Sequence, residues 1–471
     1  MKKIILLVAL TILAPQFLSA QHVVDNKSIT GSWIGKIQAG GISLRIIFNL
    51  SHIEKDSLVA TLDSPDQGAK NIKIGPASFN GTDLNIKAPL LLGEYKGTMK
   101  NDTLIEGTWS QAGRSTDLSL TRLKVLFTLN RPQDPKPPLP YTSEEVEFIN
   151  DKFNITLSGT LTIPKGEGPY PAVILVTGSG PQNRNEELLG HRPFLIIADY
   201  FSSNGIAVLR YDDRGVGKSQ GNYATATTVD LATDAEAAYT FLKRSPKINS
   251  GLIGLAGHSE GGLISPIVAS LNPGIAFVVS IAGPGVKGEA ILHKQNYDIT
   301  KASGKDDKEI KKGIAINRKL FEIVRKEPDN NKAIDKMTVF FKKELEKDTS
   351  STEAKEITLK QFQGSIGSIT NPWFRYFLVA DPAVYWKKVK CPVLAINGEK
   401  DLQVNYEINL PAIEKVLKSG GNMSVTTKSF PGLNHLFQHS KTGLPSEYGE
   451  IEETFSPEVL KFMGDWILGL K

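Results

Sequence analysis

Short runs of alternating apolar and polar residues occupy the chain between its N-terminal segment and a proline-rich stretch. Leu44, Ile46 and Phe48 recur at every second position, which is typical of a strand with one buried face. Similar runs follow, separated by turn signals such as Asn80-Gly81. This spacing predicts a small antiparallel barrel or sandwich over residues 21–127.

Proline then interrupts the pattern. The stretch NRPQDPKPPLPYT, residues 130–142, contains five prolines and can form neither a helix nor a central strand. We therefore place a linker at residues 128–143. The Gly-x-Trp motif at Gly31, near the first strand, resembles lipocalin-type barrels, which makes a lipocalin-like barrel one form of the first domain.

Continuous apolar runs rich in β-branched residues replace the alternating pattern after the linker. Such runs are typical of strands buried on both faces of a parallel sheet. Helical patterns lie between several of them; Leu231, Ala235 and Leu242, for example, share one helix face. Residues 144–471 are therefore expected to form an α/β domain, with a mostly parallel eight-stranded sheet and flanking helices.

One long insertion interrupts this domain, at about residues 286–380. It is charged and helical, with Ile310, Ile314 and Leu320 near helical spacing. Two interpretations are compatible with this pattern, a solvated helical hairpin and a lid over a functional site.

The N-terminus has the pattern of a secretory signal peptide. Lys2 and Lys3 precede the apolar run from Ile4 to Leu13, and Ala20 is the expected cleavage site. An uncleaved anchor is the alternative, but the run is shorter than the roughly 20 apolar residues that a span needs. We expect a mature protein in the periplasm or outside the cell, with no integral membrane segment after residues 1–20 are removed.

Charge and cysteine content exclude two protein classes. The formal charge is +5, or +3 without Lys2 and Lys3, and basic residues are interspersed with acidic ones. Nucleic acid is therefore not an expected partner. Cys391 is the single cysteine, which excludes a framework of intramolecular disulfides.

The segment Gly257-His258-Ser259-Glu260-Gly261 is the strongest chemical signal in the sequence. It follows an apolar strand pattern and precedes a helical one. A Gly-x-Ser-x-Gly motif between a strand and a helix is the context of a nucleophile elbow, where the serine lies at a sharp turn. Ser259 is therefore the predicted nucleophile.

A base and an acid are expected in loops after the last two strands. His435 follows the last strand through a Pro-Gly turn and is favoured as the base over His439. Asp401, just beyond an apolar strand, is favoured over Glu399 for orienting the imidazole. The chain order Ser-Asp-His is that of α/β-hydrolases.

Two backbone N–H groups are needed to stabilise an oxyanion. One is expected from Glu260, the residue after the nucleophile, and the other from Ser179 or Gly180 in the glycine-containing loop TGSGP. His435 and His439 are four residues apart, but the Glu of a His-Glu-x-x-His motif and a third ligand are missing. The sequence therefore predicts no metal and no organic cofactor.

The motifs TGSGPQNRNE, VLRYDDRGVGKSQG, LAGHSEGGLI, VLAINGEKD and GLNHLF, in this order, resemble those of the α/β-hydrolase superfamily. The chain is most similar to bacterial esterases of the dienelactone-hydrolase-like group that carry an N-terminal β domain. The resemblance covers residues 144–471 and implies that the insertion is the family's variable cap. It also implies that Trp373, Phe374 and Tyr376, where the cap returns to the core, line an acyl pocket.

These residues together predict a serine carboxylesterase acting on a small-molecule ester through an acyl-enzyme. An amidase or peptidase of the same fold is one alternative, with Glu186 and Glu187 as a candidate anchor for a substrate amine. A ligand-binding protein that acts through its β domain is another.

Overall fold

The computed structural model describes residues 29–39, 42–53, 57–67, 69–111, 114–125, 129–348 and 350–470. The predicted signal peptide, residues 1–20, lies outside the described residues, so its cleavage stays a prediction. An all-β barrel comes first along the chain, and a helix-covered sheet follows it.

Antiparallel strands form the first part of the fold. They are β1 (Gly31–Ala39), β2 (Ile42–Ile53), β3 (Ser57–Ser64), β4 (Ala69–Phe79), β5 (Asp83–Ala88), β6 (Gly93–Asn101), β7 (Leu104–Gln111) and β8 (Arg114–Arg122). These eight strands of the described chain close into a barrel, because β1 pairs with β2 on one side and with β8 on the other.

The alternating sequence pattern explains the inside and outside of this barrel. Successive side chains of a strand point to opposite faces, so every second residue enters the interior, as Leu84 and Ile86 do on β5. Large aromatic side chains fill that interior; they are Trp33, Phe48, Tyr95 and Trp109. The barrel is thus a packed core, as expected for a closed barrel of this size.

The second part of the fold alternates strands and helices. Its strands are β9 (Tyr141–Asn150), β10 (Ile155–Pro164), β11 (Tyr170–Val176), β12 (Ala207–Tyr211), β13 (Ile248–His258), β14 (Val278–Ile281), β15 (Val393–Gly398) and β16 (Val425–Phe430). Its helices are α1 (Pro193–Ser203), α2 (Thr228–Leu242), α3 (Gly261–Leu271), α4 (Gly288–Ala302), α5 (Asp307–Lys326), α6 (Asn330–Glu346), α7 (Thr352–Ser365), α8 (Pro372–Val379), α9 (Ala383–Trp386), α10 (Tyr406–Ser419) and α11 (Pro457–Leu468). No helix in the described ranges is long and apolar enough to cross a membrane.

The sheet of this second part is mixed. Its described strands run in the order β16-β15-β14-β13-β11-β12-β10-β9. The pairs from β16 to β12 are parallel, whereas β10 is antiparallel to both β12 and β9. The carboxyl ends of the parallel strands therefore meet at one edge of the sheet.

The central strands are apolar along their whole length because both faces of the sheet are covered. Ala172, Ile174 and Val176 of β11 enter the core on one face. Val173 and Leu175 of the same strand enter the core on the other face. This burial explains why the sequence shows continuous apolar runs here instead of alternation.

The charged insertion forms a helical layer with a core of its own. Helices α4 to α8 lie between β14 and β15 along the chain. Leu320, Phe341 and Phe362 belong to the apolar cluster that holds these helices together, and the rings of Phe341 and Phe362 stack with their centroids 4.0 Å apart. We call α4 to α8 the cap; it is a packed subdomain and not a two-helix hairpin.

The barrel contacts the α/β part near the loop that follows β16. The Arg45 side chain pairs with Asp66 and donates to the carbonyl oxygen of Gly449 at 2.8 Å. Leu44 packs against a small apolar cluster that contains Leu436 and Tyr448. The barrel thus lies against a segment next to the predicted base.

Replacing Trp33 with Ala should test the packed interior of the barrel. Trp33 is fully buried, donates to the Ile29 carbonyl oxygen at 2.9 Å and carries Arg122 over its ring. Loss of the indole leaves a cavity, so the variant should lose about 3–5 kcal/mol of unfolding free energy. Chemical denaturation followed by far-UV circular dichroism measures this, with the exposed Val125→Ala as the control. A loss no larger than that of the control would contradict a filled interior.

Candidate active site

Ser259 lies at a sharp turn between β13 and α3. Its φ is 52°, in the left-handed region that non-glycine residues rarely adopt. Its N–H donates to the carbonyl oxygen of Ile281 at 2.8 Å, which anchors the turn to the end of β14. Backbone strain of this kind at a partly exposed serine is typical of a functional site.

Two glycines of the motif make the turn sterically possible. A Cβ added to Gly257 would lie 2.0 Å from the carbonyl oxygen of Gly261, and one added to Gly261 would lie 2.1 Å from that of Val176. Any side chain at either position would force strand and helix apart. The spacing Gly-x-Ser-x-Gly therefore follows from the close approach of β13, α3 and β11.

A buried histidine–carboxylate pair lies in the loops after the last two strands. Asp401 follows β15, His435 follows β16, and His435 Nδ1 is 2.7 Å from Asp401 Oδ2. The other oxygen of Asp401 accepts the N–H groups of Gln403 and Val404, both at 2.8 Å. Because Nδ1 faces a carboxylate, it carries a proton, and Nε2 is left to act as the base.

The ring of His435 lies beside the elbow. Its centroid is 4.7 Å from that of His258, the residue before Ser259. Within the described chain, no hydrogen bond joins Ser259 Oγ to His435. Catalytic hydrogen bonds are often long without substrate and tighten when it binds, so the bond from Ser259 to His435 is expected to form with substrate.

The alternative residues considered from the sequence lie elsewhere. Glu399 is exposed and accepts the hydroxyl of Ser429 at 2.8 Å. The His439 side chain is 64% exposed and pairs with Glu453. The geometry thus brings Asp401, and not Glu399, to His435. The described residues also contain no group of three or more His, Cys, Asp or Glu that could hold a metal ion.

The loop after β11 supplies backbone donors beside the nucleophile. A Cβ added to Gly178 would lie only 3.3 Å from that of Ser259. Gly178 N–H donates to Glu186 at 2.6 Å, and Gly180 N–H donates to the Tyr223 hydroxyl at 2.8 Å. These bonds engage both neighbours of Ser179.

The two N–H groups predicted to stabilise an oxyanion are free in this arrangement. Among the described residues, neither Ser179 N–H nor Glu260 N–H has a protein acceptor. Gly180, the alternative to Ser179, is already engaged by Tyr223. The geometry therefore favours Ser179 and Glu260 as the pair that faces a substrate oxygen.

The side chain of Glu260 makes contacts that the sequence did not indicate. It is buried, and its Oε1 accepts the Thr228 hydroxyl at 2.6 Å and the Trp373 indole N–H at 2.7 Å. Its Oε2 has no partner within the described chain. Burial raises the pKa of Glu260 to about 7, although its two hydrogen bonds oppose the shift. Glu260 thus links the elbow to the cap through α8.

The three predicted pocket residues have different surroundings. Trp373 reaches the elbow through Glu260 and stacks on Phe377, with ring centroids 5.4 Å apart. The Tyr376 hydroxyl lies 3.1 Å from that of Tyr385. Phe374 is buried in the core of the cap. Its side chain therefore packs the cap helices together, which differs from the expected lining of an acyl pocket.

His258 and Glu186 form a second buried pair next to the nucleophile. His258 Nδ1 is 3.0 Å from Glu186 Oε1, and Nε2 is 3.0 Å from the carbonyl oxygen of His435. Since both ring nitrogens are engaged, His258 is not placed to act as the base. No sequence motif indicated the Glu186 contact, which joins residues 72 positions apart.

Known proteins similar to this chain include esterases and thioesterases. Residues 235–361 match the family model described as BAAT / Acyl-CoA thioester hydrolase C terminal. Esterase EstD of Thermotoga maritima is 27% identical over 315 residues, which cover 65% of this chain and 65% of that protein. Thiohydrolase apmlB of Arthrinium phaeospermum is 31% identical over 140 residues, covering 30% and 42%. Acyl-coenzyme A thioesterase 5 of Mus musculus is 29% identical over 161 residues, covering 31% and 34%.

The chain therefore spans less than two thirds of the length of each of these curated relatives. Among solved structures, the esterase Pf2001 of Pyrococcus furiosus has a TM-score of 0.41 at 20% identity and covers 70% of this chain and 92% of that chain. The hypothetical protein PA2218 of Pseudomonas aeruginosa has a TM-score of 0.44 at 15% identity and covers 74% and 100%. Both likenesses are distant, and the fold assignment rests on the strand pairing of this chain.

Replacing Glu260 with Gln should stabilise the protein at alkaline pH. The pKa of Glu260 is about 7 in the folded chain, against an ordinary value of 4.5. Between these values the folded state keeps a proton that the unfolded state loses, so wild-type stability falls as pH rises through this window. The variant cannot ionise, and Gln can still accept both hydrogen bonds.

At pH 8 the variant should exceed the wild type by at most about 3 kcal/mol in unfolding free energy, and by almost nothing near pH 4.5. Urea denaturation at both pH values measures the difference. Glu236→Gln, on the exposed side of α2, is the matched control and should show no such pH dependence. A difference between variant and wild type that does not change with pH would argue against a buried, raised Glu260.

Proposed function

We propose that this chain, a member of the α/β-hydrolase esterase family, is a serine carboxylesterase with the hydrolase fold and a helical cap. The buried pair of His435 and Asp401, 2.7 Å apart beside the elbow of Ser259, carries the proposal. The two free N–H groups of Ser179 and Glu260 support it independently. The substrate is a small-molecule ester, and no metal or organic cofactor takes part.

In the first half of the reaction, His435 Nε2 takes the proton of Ser259 Oγ as the oxygen attacks the ester carbonyl carbon. Asp401 holds Nδ1–H and stabilises the imidazolium that forms. The carbonyl oxygen becomes an oxyanion and accepts the N–H groups of Ser179 and Glu260. In other enzymes the loss of one such donor costs about 3–4 kcal/mol of transition-state stabilisation.

The second half releases the products. The imidazolium of His435 gives its proton to the leaving alkoxide, the bond between the carbonyl carbon and that oxygen breaks, and an acyl-enzyme on Ser259 remains. Water then attacks the acyl carbon while His435 takes its proton. The carboxylic acid leaves, and Ser259 recovers its hydroxyl proton.

Hydrolysis of thioesters is the second candidate activity. The family model over residues 235–361 and two of the relatives carry thioester-hydrolysing names. The same nucleophile, base and donors would cleave a thioester, and a thiolate leaves more easily than an alkoxide because its conjugate acid is stronger. The two activities differ only in the leaving group, so assays with ester and thioester substrates are needed to distinguish them.

Two other candidate functions have less support. Glu186, half of the candidate amine anchor for an amidase, is buried and engaged by Gly178 and His258. Aromatic side chains fill the barrel, which argues against a ligand held in its interior. We also propose that the protein works in the periplasm or outside the cell, because residues 1–20 have the pattern of a signal peptide.

Replacing Ser259 with Ala should abolish hydrolysis while the fold persists. Without the hydroxyl no acyl-enzyme forms, so turnover should fall by at least about a thousandfold. The assay compares p-nitrophenyl esters of two to ten carbons with acetyl- and palmitoyl-coenzyme A. Faster turnover of the esters supports the esterase, and faster turnover of the thioesters favours the second candidate.

Ser270→Ala is the matched control, because Ser270 lies on α3, the helix that follows Ser259, and its hydroxyl donates only to the carbonyl oxygen of Ile267 among the described residues. It should leave turnover unchanged. Undiminished hydrolysis in the Ser259 variant would rule out the proposed mechanism.

A further inference from the structure

A chain of hydrogen bonds connects three segments around the nucleophile. Glu186 Oε1 accepts Gly178 N–H at 2.6 Å and faces His258 Nδ1 at 3.0 Å. His258 Nε2 faces the carbonyl oxygen of His435 at 3.0 Å. The Glu186 and His258 side chains are only 7% and 8% exposed, so the contact between them is largely shielded from solvent.

The partners of His258 fix the protons on its ring. A carbonyl oxygen can only accept, so Nε2 must carry a proton. Glu186 Oε1 accepts an N–H from Gly178 and faces Nδ1, so Nδ1 is placed to donate as well. A ring that donates from both nitrogens is an imidazolium.

The charges around His258 support this assignment. Burial lowers the pKa of His258, but the Glu186 carboxylate, the His435 carbonyl and the more distant charge of Asp401 outweigh it, and the pKa is raised above its ordinary value. The titratable groups that face the ring are Glu186 from the loop before α1, His435 from the loop after β16 and Asp401 from the loop after β15. Apolar side chains that line the same small cavity as Glu186 and His258 include Phe194, Ile281 and Leu436.

We propose that His258 acts as a permanently charged positioning residue, which holds the oxyanion loop through Glu186 and the base-bearing loop through the carbonyl oxygen of His435. This proposal rests on the proposed hydrolase function. Gly178, at one end of the chain of bonds, precedes the donor Ser179, and His435, at the other end, is the base. His258 itself precedes Ser259, so one cation sets the distances among nucleophile, base and oxyanion donor.

The charge of His258 can be measured without any substrate. In protein labelled with ¹⁵N-histidine, the ring nitrogens of His258 should both appear protonated at pH 8, where an ordinary histidine, with a pKa near 6.5, is neutral. The signal is assigned by its loss in His258→Gln. It should become that of a neutral ring in Glu186→Gln. A neutral His258 in the wild type at pH 8 would overturn the proposal.

Kinetics then test the positioning role. Glu186→Gln and His258→Gln should each lower kcat about tenfold or more with little change in KM, because the donors and the base act on the transition state. The rate at which a fluorophosphonate labels Ser259 should fall in parallel. Folded variants with unchanged kcat, or with only a raised KM, would contradict the proposal.

His439→Gln is the matched control. His439 also pairs with a glutamate, Glu453 at 2.8 Å, but its side chain is 64% exposed. It should leave kcat and KM at their wild-type values. The two hypotheses fail in different ways. A wild type without hydrolysis and without labelling of Ser259 contradicts the proposed function, whereas the ring signal of His258 still reports on its charge.

Discussion

The close approach of backbones at the elbow is the constraint on which the rest of the structure depends. α3 begins so near β13 that a Cβ on Gly257 would lie 2.0 Å from a helix carbonyl oxygen. A Cβ on Gly262, the second residue of the same helix, would lie 2.5 Å from the Cα of Gly283 after β14. Because glycine has no side chain, α3 can pack directly against the edge of the sheet at these positions. Ser259 forms the sharp turn between β13 and α3 with a φ of 52°. Ser259, the proposed nucleophile, is thereby held by main chain that cannot shift without separating three elements.

The parallel strands bring the other groups to the same place. The loops after β11, β13, β15 and β16 carry Ser179, Ser259, Asp401 and His435 in turn, and parallel strands end at one edge of the sheet. Residues far apart in sequence thus become neighbours without any local motif joining them. The cap contacts this edge through the hydrogen bond from Trp373 to Glu260. The barrel contacts it through the packing of Leu44 against Leu436.

Sequence periodicity and the order of the loops predicted the strands of both sheets and the loops that carry Asp401 and His435. The two-residue alternation gave the barrel strands, the continuous apolar runs gave the buried sheet, and the position of Asp401 and His435 after successive strands indicated their pairing. The contact between Glu260 and Trp373 has no such signal, because the two residues are 113 positions apart and follow no common loop order. The sequence could not predict the role of Phe374 either. An aromatic residue on a short helix gives the same pattern whether it faces a pocket or the core of the cap.

Two buried glutamates, Glu186 and Glu260, lie near Ser259 and differ in their electrostatic surroundings. Glu186 faces His258, the proposed cation, and its Oε1 also accepts the N–H of Gly178. Glu260 has only neutral donors and one oxygen without a partner in the described chain, so its charge is disfavoured up to a pH of about 7. Its own N–H is where the proposed oxyanion forms, and a negative side chain there would oppose the charge that develops on the substrate. Below a pH of about 7, burial keeps most of Glu260 protonated, and this opposition is largely absent.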